Sequence, residues 1–264
     1  LMQFPFMILI ASFSEEKKKF FIKNLHISLL PYMLIVYYDY FQLNISSNSR
    51  YIPENIQPNQ IGEIVFFYII TSIFFQKNLI KVVSIFLGIV ILFLLQSRGA
   101  MLASFLFLII YYNNLIRNKI IYFFLILLSL IYFQDFIIYK VLLIDDPYRG
   151  LNTGFVGRYE GWAEGISIFL DNFLFGSGYR TNVHVHNGFI RMFSELGFLF
   201  STIVLFVLLK ALFKNFTLCF FADNSLKKYY VSSLISYIFL YMFAPRYINL
   251  NIMSVFLLFI LLNT

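Results

Sequence analysis

The sequence predicts an all-α fold: a polytopic transmembrane helical bundle of about nine spans, with one long outer loop carrying an amphipathic helix. Three observations carry that prediction. Of 264 residues, 60% are hydrophobic and only 12% charged, where soluble domains run near 45–50% and about 25%. The apolar residues gather in runs, each ended by a polar break. Finally, the lysines concentrate at alternate breaks. The same composition excludes a disordered chain, a disulfide-stapled secreted domain and a nucleic-acid module. The net charge of +7 therefore has to be located before it is interpreted.

The runs cover about 1–13, 25–43, 61–76, 79–96, 99–112, 120–139, 186–209, 229–244 and 247–262. Several fall short of the ~20 residues of a full crossing, which a tilted or thinned bilayer has to accommodate. Segment 213–222 is too short to span and reads as interfacial or loop. Residues 1–139 thus hold six spans, 140–185 an outer loop and 186–264 three further spans. The first run opens at once, without the basic region and cleavage site of a signal peptide. It reads as a chain cut inside or just before a span, with N-terminal helices missing. The single cysteine, Cys219, lies in an apolar run, so it reads as a small hydrophobe rather than half of a disulfide or a metal site.

Breaks after the first, third, fifth and seventh runs hold Lys17, Lys18, Lys19, Lys23, Lys77, Lys81, Arg117, Lys119, Lys210, Lys214, Lys227 and Lys228. By the positive-inside rule these breaks are cytoplasmic. The opposite side holds Arg50, Arg98, Lys140, Arg149, Arg158, Arg180, Arg191 and Arg246. Inside, the charge is almost all lysine; outside, almost all arginine. Topology treats the two alike, so arginine on the disfavoured side calls for a local reason. Ion pairs with outer carboxylates are one. A forked site for carboxylate or phosphate is the other.

The outer segment 140–185 is longer than the ~15 residues of ordinary loops. It opens with the turn residues Asp145, Asp146, Pro147, Gly150, Asn152 and Gly154. Phe155, Trp162, Ile166, Phe169 and Leu170 follow at near-helical spacing, predicting an amphipathic helix along the outer interface, with Thr153 as a candidate N-cap. Asn172 and the Gly176-Ser177-Gly178 turn end it. The other outer stretch, 44–60, reads as a polar connector.

Three constellations can carry chemistry. In Gln96-Ser97-Arg98-Gly99-Ala100, two runs meet in a tight hairpin whose turn Gly99 permits, and Arg98 sits at its outer end. Arg98 either snorkels to lipid phosphate or binds a substrate phosphate. In Gly157-Arg158-Tyr159-Glu160-Gly161-Trp162, Arg158 and Trp162 share a helix face. Trp162 reads as an interfacial anchor or as a surface for stacking a sugar or the guanidinium. In His184-Val185-His186-Asn187-Gly188, the histidines point to opposite faces if extended, which argues against a shared metal. A histidine at the outer mouth can remove a proton from a sugar hydroxyl, or it is simply a polar helix start. Arg191 and Glu195 stand at i and i+4, the spacing of a helix ion pair.

In order and spacing, SRGAMLA at 97–103, GRYEGWAEGISIF at 157–169, NFLFGSGY at 172–179 and VHNGFIRMFSELGFLF at 185–200 resemble the O-antigen ligase and O-antigen polymerase superfamily of bacterial envelope glycan assembly. The resembling stretch runs from about residue 92 to 206. The resemblance implies transfer of a glycan from an undecaprenyl-diphosphate carrier to an acceptor sugar hydroxyl or lipid, on the outer side of the inner membrane. It also implies that Arg98 and Arg158 hold the diphosphate, that the functional histidine is His186, before Asn187, and that Glu195 is a family-like acidic position; with these, Trp162, Asn187, Arg191 and Glu195 are the candidate substrate-binding residues. Other polysaccharide-assembly proteins are implied partners. No cofactor or metal is expected, because the carrier diphosphate is already an activated leaving group. Two other readings stand beside this one. A transporter or flippase for a lipid-linked anion would place ionisable groups deep within spans, and a non-catalytic fragment would keep the spans alone. Polymerase and ligase share a donor and differ in acceptor, so these residues do not separate them.

Overall fold

The computed structural model describes residues 12–42, 58–75, 77–112, 156–178, 185–221 and 225–242, and every regular element among them is helical. In chain order they are α1 (Glu15–Gln42), α2 (Pro58–Thr71) closed by a 3-10 turn (Ser72–Phe74), α3 (Asn78–Leu95), α4 (Arg98–Tyr111), α5 (Val156–Asp171), α6 (Gly188–Phe221) and α7 (Ser225–Tyr241). The runs expected over 120–139 and 247–262, most of 1–13, the 145–154 turn with Thr153, and His184 lie outside the described residues. Three helices, Glu15–Tyr40, Asn78–Leu95 and Gly188–Phe213, are long and apolar enough to cross a membrane. Ile61–Phe74 and Arg98–Tyr111 are shorter apolar helices. At ~1.5 Å per residue each covers roughly 21 Å of a ~30 Å hydrocarbon core, so the bilayer has to thin around them.

Lys17, Lys18, Lys19 and Lys23 occupy the first turns of α1, so the polar break between the first two runs is itself helical. One expectation is corrected: residues 213–221 are not a separate piece, because α6 continues to Phe221. No glycine or proline interrupts residues 213–221, so the helix extends past the apolar span.

α2 is the centre of the bundle. Val65, Phe66, Phe67, Tyr68, Ile69 and Ile70 are buried on every side of it, the condition of a helix apolar all round. Around it the helix ends sort into two groups. At one end the Lys23 ammonium lies over the Phe75 ring at 5.7 Å, Phe74 meets Tyr229 edge-on at 4.6 Å, and Phe107 meets Tyr229 at 5.9 Å. These residues adjoin the lysine-rich breaks. At the other end Gly62 packs on Ser97 and Ala100, and Gly188 packs on Tyr241.

A buried polar knot joins α1, α2 and α3. His26 Nδ1–H donates to the Tyr68 carbonyl at 3.0 Å and lies 3.1 Å from Thr71 Oγ1, while the Ser84 hydroxyl sits 3.2 Å from Nε2. The carbonyl can only accept, which sets the tautomer: hydrogen on Nδ1, lone pair on Nε2 toward Ser84. The ring also stacks on Tyr68 at 4.1 Å. Neutral imidazole meets polar partners on both edges, so it glues helices where water is absent.

Candidate functional site

Arg98 opens α4 directly after a two-residue turn. The turn is a Schellman closure of α3: Gln96 N–H donates to Phe93 O at 3.0 Å and Ser97 N–H to Leu92 O at 3.2 Å. The left-handed residue is Gln96, at φ 50°, and not Gly99, which lies inside the first turn of α4. That corrects the role expected of Gly99. The glycine that matters at this turn is Gly62 of α2, whose missing side chain admits buried Ser97. Arg98 is half-buried there.

α5 runs parallel to the first part of α6. Gly165 admits Val185 and Ile190, Phe169 meets Phe193 edge-on at 5.4 Å, and Phe173 stacks on Phe198 at 5.2 Å. Carried back along both helices, this register sets Trp162 level with His186 and Asn187, and Arg158 one turn beyond. Arg158 and Trp162 are both half-buried, whereas the exposed apolar stripe of α5 is Tyr159, Ile166 and Leu170. Burial pulls the Arg158 guanidinium below the ordinary arginine value, and an arginine starts so high that it keeps its charge.

His186 is exposed in the short non-helical stretch before α6. Asn187 is the N-cap of that helix: its Oδ1 accepts the N–H groups of Phe189 at 3.0 Å and Ile190 at 3.1 Å. This cap fixes the chain direction that presents His186. One turn on, Arg191 Nε donates to Glu195 Oε1 at 2.7 Å, with the Glu195 side chain 0% exposed and that of Arg191 14%. The pair expected from spacing is thus formed and largely desolvated, which strengthens it relative to an exposed one.

α7 joins these parts. It packs on α4 with Tyr229 against Phe107, so its far end rises toward Arg98. There Tyr241 receives Gly188 and meets Phe189 edge-on at 5.1 Å. Arg98, Arg158, Trp162, His186, Asn187, Arg191 and Glu195 are therefore all carried by elements that converge at one end of the bundle. Glu63, Tyr237 and Tyr241 join them and were not singled out from sequence. Glu63 is buried beside Gly62, and its charge bears on the Tyr237 phenol. A lone carboxylate in the apolar stretch Ile61–Phe74 was the signal for it. No group of three or more metal-ligating side chains occurs among the described residues.

Helices long and apolar enough to cross a bilayer mark an integral membrane protein, and Arg98, Arg158 and His186 lie on elements that meet at one end of the described bundle. Residues 83–207 match the family model described as O-antigen ligase, so that stretch of the chain is similar to the O-antigen ligase superfamily. The matched stretch contains every site residue named from sequence. Neither the curated proteins nor the solved structures yield a match.

Proposed function

We propose that the protein is an inner-membrane glycosyltransferase that moves a glycan from an undecaprenyl-diphosphate carrier to an acceptor sugar hydroxyl on the outer side of the membrane. The observation that carries this reading is the convergence of Arg98, Arg158 and His186 at one end of the bundle, within the family-matched stretch. In the reaction the anomeric C–O bond to the diphosphate breaks and its electron pair leaves with the phosphate oxygen. The acceptor oxygen forms the new glycosidic bond and loses its proton. Guanidinium groups of Arg98 and Arg158 stabilise the charge that develops on the diphosphate, and half-burial makes each worth more than it would be in water. His186, exposed and held by the Asn187 cap, takes the acceptor proton. Trp162, level with His186, supplies a flat surface for a sugar ring. Arg191 and Glu195 form the wall below.

The stripe of Tyr159, Ile166 and Leu170 sets α5 against the outer leaflet, with Glu160, Glu164 and Asp171 on the adjacent water side. A lipid-borne donor then reaches the arginines without leaving the membrane. Whether the acceptor is a growing polymer or a lipid sets polymerase against ligase, and both use this same donor chemistry. The test is alanine at Arg98, Arg158 and His186, one at a time in the full-length protein, read as polymeric glycan on gels. Each variant should lose the polymer. Normal polymer from all three, at equal protein level, refutes the mechanism.

A further inference from the structure

α6 is broken at Gly197, whose φ of 69° and ψ of −178° are open to glycine alone. A break in a buried helix orphans carbonyls before it and N–H groups after it, and each orphan costs about 1–3 kcal/mol if left unmet. Here they are met by residues 172–178. Ser194 O accepts both the N–H of Ser177, at 2.9 Å, and its hydroxyl, at 3.0 Å. Glu195 O accepts Gly178 N–H at 3.1 Å. In return Phe198 N–H donates to Phe173 O at 2.7 Å and Leu199 N–H to Leu174 O at 3.3 Å. Two more hydroxyls close the helix on itself: Ser194 Oγ to Arg191 O at 2.9 Å and, across the break, Ser201 Oγ to Met192 O at 3.0 Å. Gly176 and Gly197 stand back to back, each occupying the space where the other's Cβ would fall.

We infer that residues 172–178 are a clasp holding α6 broken behind Glu195, and that Ser177 is a positioning residue for the Arg191–Glu195 pair. The break comes two residues after that carboxylate, so the helix that carries Arg191 and Glu195 ends where the clasp grips it. The clasp is also the continuation of α5. Through it the first part of α6 and the helix bearing Arg158 and Trp162 form one unit, separate in direction from the apolar span after Gly197. Ser177 is the one clasp side chain that bonds the far strand of the break. It puts two donors on a single carbonyl, one more than the backbone alone provides. The consequence for catalysis rests on the proposed transfer reaction; the clasp itself does not.

Ser177→Ala keeps the backbone donors and removes only the hydroxyl, and Ser177→Thr restores a hydroxyl. The two variants are compared with wild type in the full-length protein in lipid nanodiscs, without donor, by hydrogen–deuterium exchange over 194–199. Exchange should rise about fivefold in the alanine variant, the effect of one net hydrogen bond, and return toward wild type with threonine. Transfer from an undecaprenyl-diphosphate-linked oligosaccharide should show a raised donor KM in the alanine variant, again recovered by threonine. Unchanged exchange in Ser177→Ala, or a threonine variant as loose as the alanine one, overturns the clasp. Loosened exchange in Ser177→Ala beside a tight wild type that transfers no glycan upholds the clasp and counts against the transfer reaction instead.

Discussion

Gly188→Ala tests how tightly the start of α6 is set against α7. An added Cβ falls 2.6 Å from Tyr241 Cε1 and Cζ and from the Tyr241 carbonyl oxygen. Ordinary carbon contacts need about 3.5 Å, so the two helices have to part by roughly 0.9 Å. Two effects oppose each other. Alanine in a helix gains about 0.5–1 kcal/mol over glycine, whereas overpacking costs about 1–3 kcal/mol. Overpacking wins, because one of the atoms met is backbone and has no rotamer to escape into. The larger effect is on activity. Gly188 follows Asn187 and His186, so parting the helices moves the proposed base by nearly an ångström, and a displacement of that size costs about 10²-fold in rate. The assay is kcat/KM for transfer from the lipid-linked donor, with protein level in the membrane measured alongside. A fall of about 10²-fold at near-normal protein level is expected. Activity within twofold of wild type refutes the claim that Tyr241 sets the position of His186.

Arg158→Lys should introduce a pH dependence that wild type lacks. The burial that lowers the arginine acts on a lysine that starts near 10.4, so the variant loses its charge, and its activity, at a lower pH than an exposed lysine would, while wild type holds; parallel profiles refute the assignment. Nitroxides at Ile166, Leu170 and Leu174, introduced as cysteines in a Cys219→Ser background, should be more accessible to oxygen than to a nickel chelate, and those at Glu160, Glu164 and Asp171 the reverse; equal accessibility of the two sets argues against a membrane-facing stripe. His26→Ala should cost about 1–3 kcal/mol by removing the buried hydrogen bonds of the imidazole to Ser84 and the Tyr68 carbonyl, seen as a lower thermal midpoint, with donor KM per folded protein unchanged because the knot lies at the opposite end from Arg98.

Helices were legible in the sequence because lipid demands long apolar runs, and α3 and α4 start and stop within a residue of the expected bounds. What closes the hairpin between them was not legible. Gly99 is the residue whose backbone is permissive, yet Gln96 takes the left-handed turn, because the Schellman bonds fall at the end of α3 and the close contact falls on Gly62, far away in the chain. The break in α6 was hidden for a related reason. A glycine in an apolar run is tolerated within a helix, and only a partner able to meet the orphaned groups makes a break stable; that partner is 20 residues upstream. The candidates Arg98, Arg158 and His186 stand out in the sequence because arginine lies on the side that topology disfavours and a histidine lies at the mouth of a helix. The sequence singles out Asn187 as a substrate contact but does not announce that its amide oxygen caps α6. His26 passed unnoticed as a lone histidine among apolar residues, since nothing local announces partners 42 to 58 positions away.

The most direct measurement is transfer in proteoliposomes holding the purified full-length protein, an undecaprenyl-diphosphate-linked oligosaccharide and an acceptor glycan. Wild type should release undecaprenyl diphosphate and extend the acceptor in step, while Arg98→Ala, Arg158→Ala and His186→Ala do neither. Donor that crosses the bilayer without transfer, or transfer that survives all three substitutions, would contradict the account.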